Sequence, residues 1–509
     1  MRINQDYKKL LYSNSGLFLT LILLIAVSLF DLLAPLISST IWRQTQTAML
    51  TENLIKEHFS PWGLYVNILG PAKPLMIYEF PSYNFITGIF LYFFGDSVIW
   101  GKFLSMIFSV FSLIILTKII RKYYGQTLAV LTAVFFIFSP LGMLVRTSFQ
   151  PDSMGLMFLL LALYNLLKWR LDNKPVFFVI FIFSLLLSGL TKFPIIVPYI
   201  PFICFIFLFP SGKLRVPSYR EICLCVFVFI VPLILWNLFA LKVSNPDFVK
   251  SPQAMFLMGD LARFLRAGYY IKPLFILIFY VFSGIGAFFF LLSFRGVKFF
   301  ELLLLLGLPL YAIIIPTSVE QHYYQFAVIP IISLFIAKGF LAFSSFFKRK
   351  GLQFIIVLGV ILYIGGFLVA TQYLLRQDKV SYLSAKKLSE TTRPEDLCLF
   401  LVLHDRLYVT ANFSPIMSYF SRRKGWNLAY GSDCDYKDLI EQVEGYKQQG
   451  ARFLLVTWHT PDLEPWFAAY IPRKLLRDPM VNGKKIYENL KNTYIDIYED
   501  KNCGILLLR

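Results

Sequence analysis

Charged residues are scarce in this chain of 509 residues. They make up only 16% of the composition, whereas 57% of the residues are hydrophobic and 53 residues are phenylalanine. A soluble chain of this length would usually form about three domains, with roughly a quarter of its residues charged. The composition therefore excludes a soluble protein and predicts an integral membrane protein with many spans.

Cysteine and histidine are also rare, with six and four residues. Six cysteines in a chain of this length are no disulfide framework, and four scattered histidines make no zinc set, so a metal site is not indicated. Three cysteines lie near the C-terminus, where one pair can form a disulfide bond if this region is extracytoplasmic. The spacing does not select the pair among Cys398, Cys434 and Cys503.

The sequence lacks the motifs of nucleotide and peptidase chemistry. It contains no G-x-G-x-x-G after a strand-like run, no G-x-x-x-x-G-K-[ST] and no H-E-x-x-H. No Ser-His-Asp arrangement can be read from the spacing. Chemistry at the outer membrane surface without a nucleotide needs an activated substrate that a lipid delivers.

Positive charge exceeds negative charge, and the net charge is +19. The cations form short clusters between apolar runs, which is the pattern of cytoplasmic loops under the positive-inside rule and excludes nucleic-acid binding as their meaning. The clusters are Arg2/Lys8/Lys9, Lys118/Arg121/Lys122, Lys168/Arg170/Lys174, Lys213/Arg215/Arg220, Arg295/Lys298 and Lys348/Arg349/Lys350.

Two crossings must separate each consecutive pair of clusters if all six are cytoplasmic. This condition predicts ten spans, and a last span at 352–374 after the sixth cluster makes eleven, with the N-terminus in the cytoplasm and the C-terminus outside. The run 83–95 is too short for a crossing and is interpreted as an interfacial or re-entrant helix on the outer face. The predicted spans are 16–38, 97–117, 126–145, 153–168, 175–190, 193–210, 222–241, 273–294, 299–316, 324–347 and 352–374.

The chain divides into two predicted domains. Residues 1–375 form an α-helical polytopic membrane domain with a long outer loop at 39–96, and residues 376–509 form a small extracytoplasmic α/β domain. The C-terminal part mixes the periods of helix and strand. Its predicted helix is 438–451, and its predicted strands are 397–403, 452–458, 493–498 and 503–508.

Ionisable residues at membrane depth are costly and therefore indicate function. In this chain they concentrate on the predicted outer side, in the last third of the first span, in the outer loops and in the turns between spans. The candidates are Asp31, Arg43, Lys73, Glu79, Arg146, Asp152, Lys192 and His322.

Six short motifs in a fixed order carry a family resemblance. The chain resembles the lipid-linked-sugar glycosyltransferases of the GT-C type, in the family 39-like branch related to protein O-mannosyltransferases and the aminoarabinose transferase of lipid A. The resemblance extends over nearly the whole chain. The motifs are W-R-Q-T-Q-T-A at Trp42–Ala48, E-F-P-x-Y at Glu79–Tyr83, S-P…R…P-D at Ser139, Pro140, Arg146, Pro151 and Asp152, L-T-K at Leu190–Lys192, H-Y-Y at His322–Tyr324, and R-R-K-G-W at Arg422–Trp426.

The resemblance implies a polyprenyl-phosphate sugar as donor and a hydroxyl of an envelope glycan, lipid or protein as acceptor. Transfer in such enzymes occurs on the outer face of the plasma membrane, usually with inversion. Many relatives have an acidic residue where this chain has Gln46. Because an amide does not accept a proton at neutral pH, the base lies elsewhere, the branch works differently, or catalysis is lost.

The chemistry assigns roles to the candidates. The acceptor hydroxyl loses a proton late in the transition state, so a carboxylate is needed; the order of preference is Glu79, Asp152 and Asp31. The departing phosphate gains negative charge, so cations must meet it. The phosphate-binding candidates are Lys192, Arg146, Arg43 and Lys73, and the substrate-binding candidates are Gln46, Tyr83, His322 and Tyr324.

Each candidate also has a structural alternative. Asp152 after a proline is a plausible helix N-cap, Lys192 can extend its ammonium group to the interface, and Arg146 can pair with Asp152. Two rival functions also remain. A transporter or flippase of lipid-linked sugars would show internal repeats and charges near the membrane midplane, and a catalytically silent assembly protein would be consistent with Gln46.

Overall fold

The computed structural model describes residues 14–95, 97–209, 216–246, 274–315, 321–346, 353–375, 379–403, 414–430, 435–458 and 483–508. These residues form a helical N-terminal part and a C-terminal part built on one sheet. The predicted fold class, a polytopic helical membrane protein with a C-terminal α/β domain, is confirmed. The N-terminal basic cluster, Lys348/Arg349/Lys350 and Cys434 lie outside the described residues.

The helical part contains fourteen described α-helices and one π-helical segment at Leu277–Val281. They are α1 (Asn14–Leu32), α2 (Ile41–Lys56), α3 (Ser82–Phe94), α4 (Ile99–Tyr124), α5 (Gln126–Ile137), α6 (Pro140–Arg146), α7 (Asp152–Asp172), α8 (Pro175–Lys192), α9 (Ile200–Leu208), α10 (Tyr219–Val243), α11 (Gly286–Leu292), α12 (Phe299–Ile314), α13 (Ile329–Phe346) and α14 (Gln353–Leu375).

Within the described residues, seven helices are long and apolar enough to cross a membrane, or up to nine if each of two bent pairs is one span. Each of the eleven predicted spans coincides with helical structure. However, α12 and the segment Val197–Leu208 are short, and α5 and α6 meet at 71°. The count of eleven and the orientation of the termini stay predictions.

The bend between α5 and α6 follows from the local sequence. Ser139 ends the first helix with an extended backbone and its hydroxyl accepts a hydrogen bond from the Gly142 amide, while Pro140 occupies the first position of the next helix. Arg146 at the end of α6 donates to the Ile137 carbonyl at 2.7 Å. These hydrogen bonds stabilise the bend between α5 and α6.

The predicted outer loop contains two helices. The helix α2 is rich in polar residues, yet 13 of its 16 residues are buried, so protein surrounds it on most sides. The predicted interfacial helix at 83–95 corresponds to α3. Between them, residues Tyr65 and Leu75 form an antiparallel bridge.

The C-terminal part is a five-stranded sheet with the order β2-β1-β3-β5-β4. Strands β1, β2 and β3 are parallel, whereas β5 pairs antiparallel with β3 and β4. The elements are α15 (Lys379–Thr391), β1 (Leu397–Leu403), α16 (Ile416–Ser421), β2 (Gly425–Tyr430), α17 (Tyr436–Gln448), β3 (Ala451–Thr457), α18 (Gly483–Lys491), β4 (Ile495–Glu499) and β5 (Cys503–Leu507).

The sequence predicted four of these five strands and one of the four helices. The helix predicted at 438–451 corresponds to α17, and Gly450 beyond its end has a φ of 101°, as expected of a glycine that terminates a helix. Strand β2 was not predicted from the sequence, because its pairing with β1 depends on a neighbour in space. Cys398 and Cys503 are buried free thiols, so these two cysteines are not bridged.

The outer loop is attached to the sheet at its β2 edge. Gly70 donates to the Gly425 carbonyl at 2.8 Å, and Leu69 forms an antiparallel bridge with Trp426. Gly70 has a φ of 66°, and a Cβ atom on it would lie 2.1 Å from the Trp426 ring. Only glycine fits at this position, because both its backbone conformation and the close approach of the indole exclude a side chain.

Candidate active site at the outer loop

One carboxylate joins two cations from distant parts of the chain. Arg43 Nη2 lies 2.6 Å from Glu79 Oε2, and Lys192 Nζ lies 2.9 Å from Glu79 Oε1. The Lys192 side chain is 2% exposed and that of Glu79 is 26% exposed. Both oxygens of the carboxylate are therefore occupied by charged donors in a largely buried site.

Three structural elements bring these groups together. Arg43 lies in the first turn of α2, Lys192 is the last residue of α8, and Glu79 lies in the segment before α3. That segment is fixed to the end of α8 by two bonds. The Phe80 amide donates to the Leu190 carbonyl at 3.0 Å, and the Ser82 and Thr191 hydroxyls lie 3.0 Å apart.

Two tyrosines pack against the Lys192 ammonium group. Nζ lies 4.7 Å from the ring centroid of Tyr324 and 5.6 Å from that of Tyr323. Such cation–π contacts stabilise a buried ammonium group. The adjacent His322 Nε2 is 2.8 Å from the Ser39 hydroxyl. The H-Y-Y motif therefore lines the lysine, with Tyr324 in direct contact and His322 bonded to the segment before α2.

Burial raises the pKa of Glu79, but the charges of Arg43 and Lys192 and their hydrogen bonds outweigh burial and lower this pKa to about 2. The same carboxylate raises the pKa of Arg43, against the effect of burial. Glu79 is consequently ionised at neutral pH and a weak base. With this geometry, Glu79 is better suited to binding two cations than to accepting a proton.

Asp152 is the first residue of α7 and is buried. It lies within electrostatic range of Lys192, Arg43 and Glu79. In the described part of the chain its Oδ2 atom has no hydrogen-bond partner. The N-cap residue of α7 is Pro151, so Asp152 is not the cap. Among the three acidic candidates, this is the one with an available buried oxygen beside the cations.

Gln46 lies beside Arg43, on the next turn of α2. Its Oε1 accepts a hydrogen bond from Arg43 Nη1 at 3.2 Å, and its Nε2 donates to Met76 Sδ. A neutral amide here orients the guanidinium without neutralising it. With glutamine at this position, the carboxylate in direct contact with Arg43 is Glu79, and Asp152 lies within electrostatic range.

Four of the candidate site residues contact residues outside the cluster of Arg43, Glu79 and Lys192. The Asp31 carboxylate is 3.1 Å from Lys102 Nζ in a buried ion pair. Arg146 donates to Ser28 Oγ and the Ile137 carbonyl, and is not paired with Asp152. The other two also have partners elsewhere: Lys73 binds Glu57, and Tyr83 donates to the Gly101 carbonyl.

Sequence reasoning missed Lys102 and Tyr323. Lys102 lies inside a predicted span, and a lone lysine at membrane depth was a signal for a buried partner. Tyr323 was present in the H-Y-Y motif, but no sequence pattern indicates that its ring faces an ammonium group. Among the described residues, no group of three or more His, Cys, Asp and Glu side chains could hold a metal ion.

A narrow cavity of about 20 Å³ adjoins the cluster, with Arg43, Glu79, Tyr78 and Asn84 in its wall. This volume accommodates about one water molecule. A phosphate group therefore does not fit in this cavity beside Arg43 and Glu79.

The comparisons with known proteins agree with this architecture. Residues 73–236 match the family model of dolichyl-phosphate-mannose-protein mannosyltransferase. The segment contains Glu79, Asp152 and Lys192. No curated protein matches the chain in sequence.

Solved structures share the fold at low sequence identity. ArnT from Cupriavidus metallidurans bound to undecaprenyl phosphate is 11% identical with a TM-score of 0.60, covering 97% of this chain and 98% of that chain. The apo state of the same protein is 13% identical to this chain, with a TM-score of 0.56 and the same coverage. The Archaeoglobus fulgidus oligosaccharyltransferase tethered with an acceptor peptide is 11% identical, with a TM-score of 0.52. The match covers 88% of this chain and 70% of that chain.

These matches confirm the resemblance to glycosyltransferases of the GT-C type, which the motifs had indicated. The chain shares its fold with ArnT and with the archaeal oligosaccharyltransferase. The solved structures show a shared fold, and the family model matches residues 73–236.

Proposed function

We propose that this protein transfers a sugar from a polyprenyl phosphate to a hydroxyl group of an envelope glycan, lipid or protein on the outer face of the membrane. The observation that carries the proposal is the pair Arg43 and Lys192, two buried cations that share the Glu79 carboxylate. The shared carboxylate holds the two cations side by side, where both can also donate to the oxygens of a phosphate.

The leaving group needs these cations. When the bond between the anomeric carbon and the phosphate oxygen breaks, its electron pair stays on the phosphate, which becomes more negative. Arg43 offers a planar guanidinium and Lys192 a compact ammonium, and both suit phosphate oxygens. In this proposal Glu79 holds the cations in place and gives up part of its contacts when the phosphate enters.

The base of the reaction is Asp152 in this proposal, rather than Glu79. The acceptor oxygen attacks the anomeric carbon while its proton passes to the Asp152 carboxylate. Asp152 has an available oxygen, whereas both oxygens of Glu79 are bonded and its pKa is about 2. A single displacement of this kind inverts the anomeric centre, and the products are the glycosylated acceptor and a polyprenyl phosphate.

The rival function, a transporter of lipid-linked sugars, is favoured by the bent helices, since broken spans are typical of transporters. In α5 and α6, however, Arg146 bonds the Ile137 carbonyl at the break. This contact gives the break a structural role. The buried cations of the outer cluster support transfer more directly than transport.

Mass spectrometry of total lipids from cells with and without the chain tests the proposal. A polyprenyl-phosphate monosaccharide should accumulate without the chain and with Lys192→Ala. It should not accumulate with Lys174→Ala, which changes an exposed lysine at the other end of α8. Transport would instead be indicated if purified protein in vesicles moved the lipid across the bilayer without consuming its sugar.

A further inference from the structure

A second, larger cavity lies between the outer loop and the sheet domain. Its volume is about 470 Å³, within the range of cavities that hold small ligands, and such sites favour interfaces between domains. One wall is the C-terminal half of α2, and the other is the segment from α16 to β2. The proposed site of sugar transfer at Arg43, Glu79 and Lys192 lies outside this cavity.

The walls of the cavity are fixed relative to one another. In addition to the bonds of Gly70 and Trp426, the Ser418 hydroxyl donates to the Asn67 carbonyl at 3.0 Å. A Cβ atom on Gly425 would lie 1.7 Å from the Cys398 carbonyl oxygen, so the turn into β2 packs directly on the neighbouring strand. The cavity is therefore preformed, and a ligand would not have to order it.

The lining combines polar and apolar residues and carries more positive than negative charge. Glu52 of α2, with its side chain 10% exposed, is paired with Arg422, whose side chain is 48% exposed. The Arg422 guanidinium also lies 5.2 Å from the ring centroid of Tyr419. The charged residues of the lining are Glu52, Lys56, Glu395, Arg422, Arg423 and Lys424.

This lining selects the class of ligand. A polyprenyl chain would bury these charges against hydrocarbon, which is unfavourable. Hydroxyl-rich ligands can instead bond to the carboxylates and cations, and the excess of cations favours a ligand with an anionic group. Arg422 has the exposed surface needed to reach such a group while Tyr419 supports its guanidinium.

The helix α2 connects this cavity to the cation cluster. Arg43 lies in its first turn, and Glu52 follows nine residues later, so the helical rise separates them by about 14 Å. A ligand held at Glu52 and Arg422 reaches the cluster only if it is longer than one sugar. We infer that this cavity binds the acceptor, and that the acceptor is an anionic oligosaccharide whose charged group lies at Lys56, Arg422 and Lys424. The inference rests on the proposed glycosyl transfer.

The test is direct binding to the full chain in lipid nanodiscs, measured by ligand-observed NMR. The probes are a trimer of galacturonic acid, the neutral maltotriose and inorganic phosphate. We expect the anionic trimer to bind about tenfold more tightly than maltotriose, and Lys56→Gln/Lys424→Gln to remove this preference. Lys437→Gln, an exposed lysine on α17 outside the cavity, is the matched control and should bind like the unmodified chain.

Equal binding of the two trisaccharides, or an unchanged preference in the double variant, would overturn the inference. Phosphate binding as tightly as the anionic trimer would also overturn it, since the cavity would then recognise an anion alone. Binding of undecaprenyl phosphate is measured on the same samples and should be unaffected by the double variant. If the unmodified chain does not bind that lipid, the proposed function fails, whatever the cavity does.

Discussion

Lys192 Nζ lies 2.9 Å from Glu79 Oε1 across a separation of 113 residues. The contact joins the end of a membrane helix to the outer loop. Since Arg43 bonds the other oxygen, one loop carboxylate determines the position of both cations. The proposed phosphate site therefore depends on how the loop folds onto α8.

We expect Lys192→Ala to reduce sugar transfer by at least about a hundredfold, because a buried cation at the leaving group stabilises the developing charge by several kcal/mol. The rate of transfer by purified protein measures this. Lys174→Ala changes the exposed lysine that precedes the same helix and should leave the rate unchanged. Similar rates for both variants would contradict a phosphate-binding role for Lys192.

Asp152→Asn should lower kcat by about a hundredfold or more, with little change in KM for the donor, since the amide cannot take the proton. Asp172→Asn, at the opposite end of α7 and exposed, is the control. A rise in KM with an unchanged kcat would mean that Asp152 binds substrate rather than accepting the proton. In that case the assignment of the base would have to move to another group.

The low pKa of Glu79 predicts an acid-dependent loss of stability. Its pKa in the folded chain, about 2, is below the value of about 4.3 for an unfolded glutamate. The stabilisation is complete above the unfolded pKa and is lost as the pH falls towards the folded pKa. Differential scanning fluorimetry should show a steeper decrease of Tm between about pH 4.3 and pH 2 in the unmodified chain than in Glu79→Gln.

At neutral pH, Glu79→Gln leaves Arg43 and Lys192 without their shared counter-ion, so Tm should be lower than in the unmodified chain. Undecaprenyl phosphate should raise the Tm of this variant more than that of the unmodified chain, because the lipid phosphate replaces the lost charge. Equal shifts in the two proteins would argue against phosphate binding between these cations.

The buried pair of Asp31 and Lys102 should contribute to folding rather than to chemistry. Removing one partner of a buried ion pair typically costs about 3–5 kcal/mol, whereas replacing both costs less. Lys102→Met should thus reduce Tm more than Asp31→Leu/Lys102→Met does. The rate per folded molecule should stay unchanged in both variants, and a rate loss in the double variant would restore Asp31 to the reaction.

Sequence alone determined the class of the protein. Apolar runs that are long enough to span a bilayer are stable only within a membrane. The clusters of Lys and Arg between them indicate loops. Strands β1, β3 and β5 were also recognisable because their apolar residues are continuous, and β4 because acidic residues interrupt its apolar residues. Strand β2 was not, because its pairing with β1 depends on a neighbour in space.

The candidate site depended on tertiary structure. The sequence indicated Glu79, Asp152, Arg43 and Lys192 among other candidates. However, it ranked Glu79 first and Asp31 third as the base, and it made Arg146 a phosphate-binding candidate. Only folding decided that Glu79 bonds two cations and that Asp31 pairs with Lys102. Residue type and spacing establish which charges are present, whereas ionisation and role depend on the distances and burial that long-range contacts create.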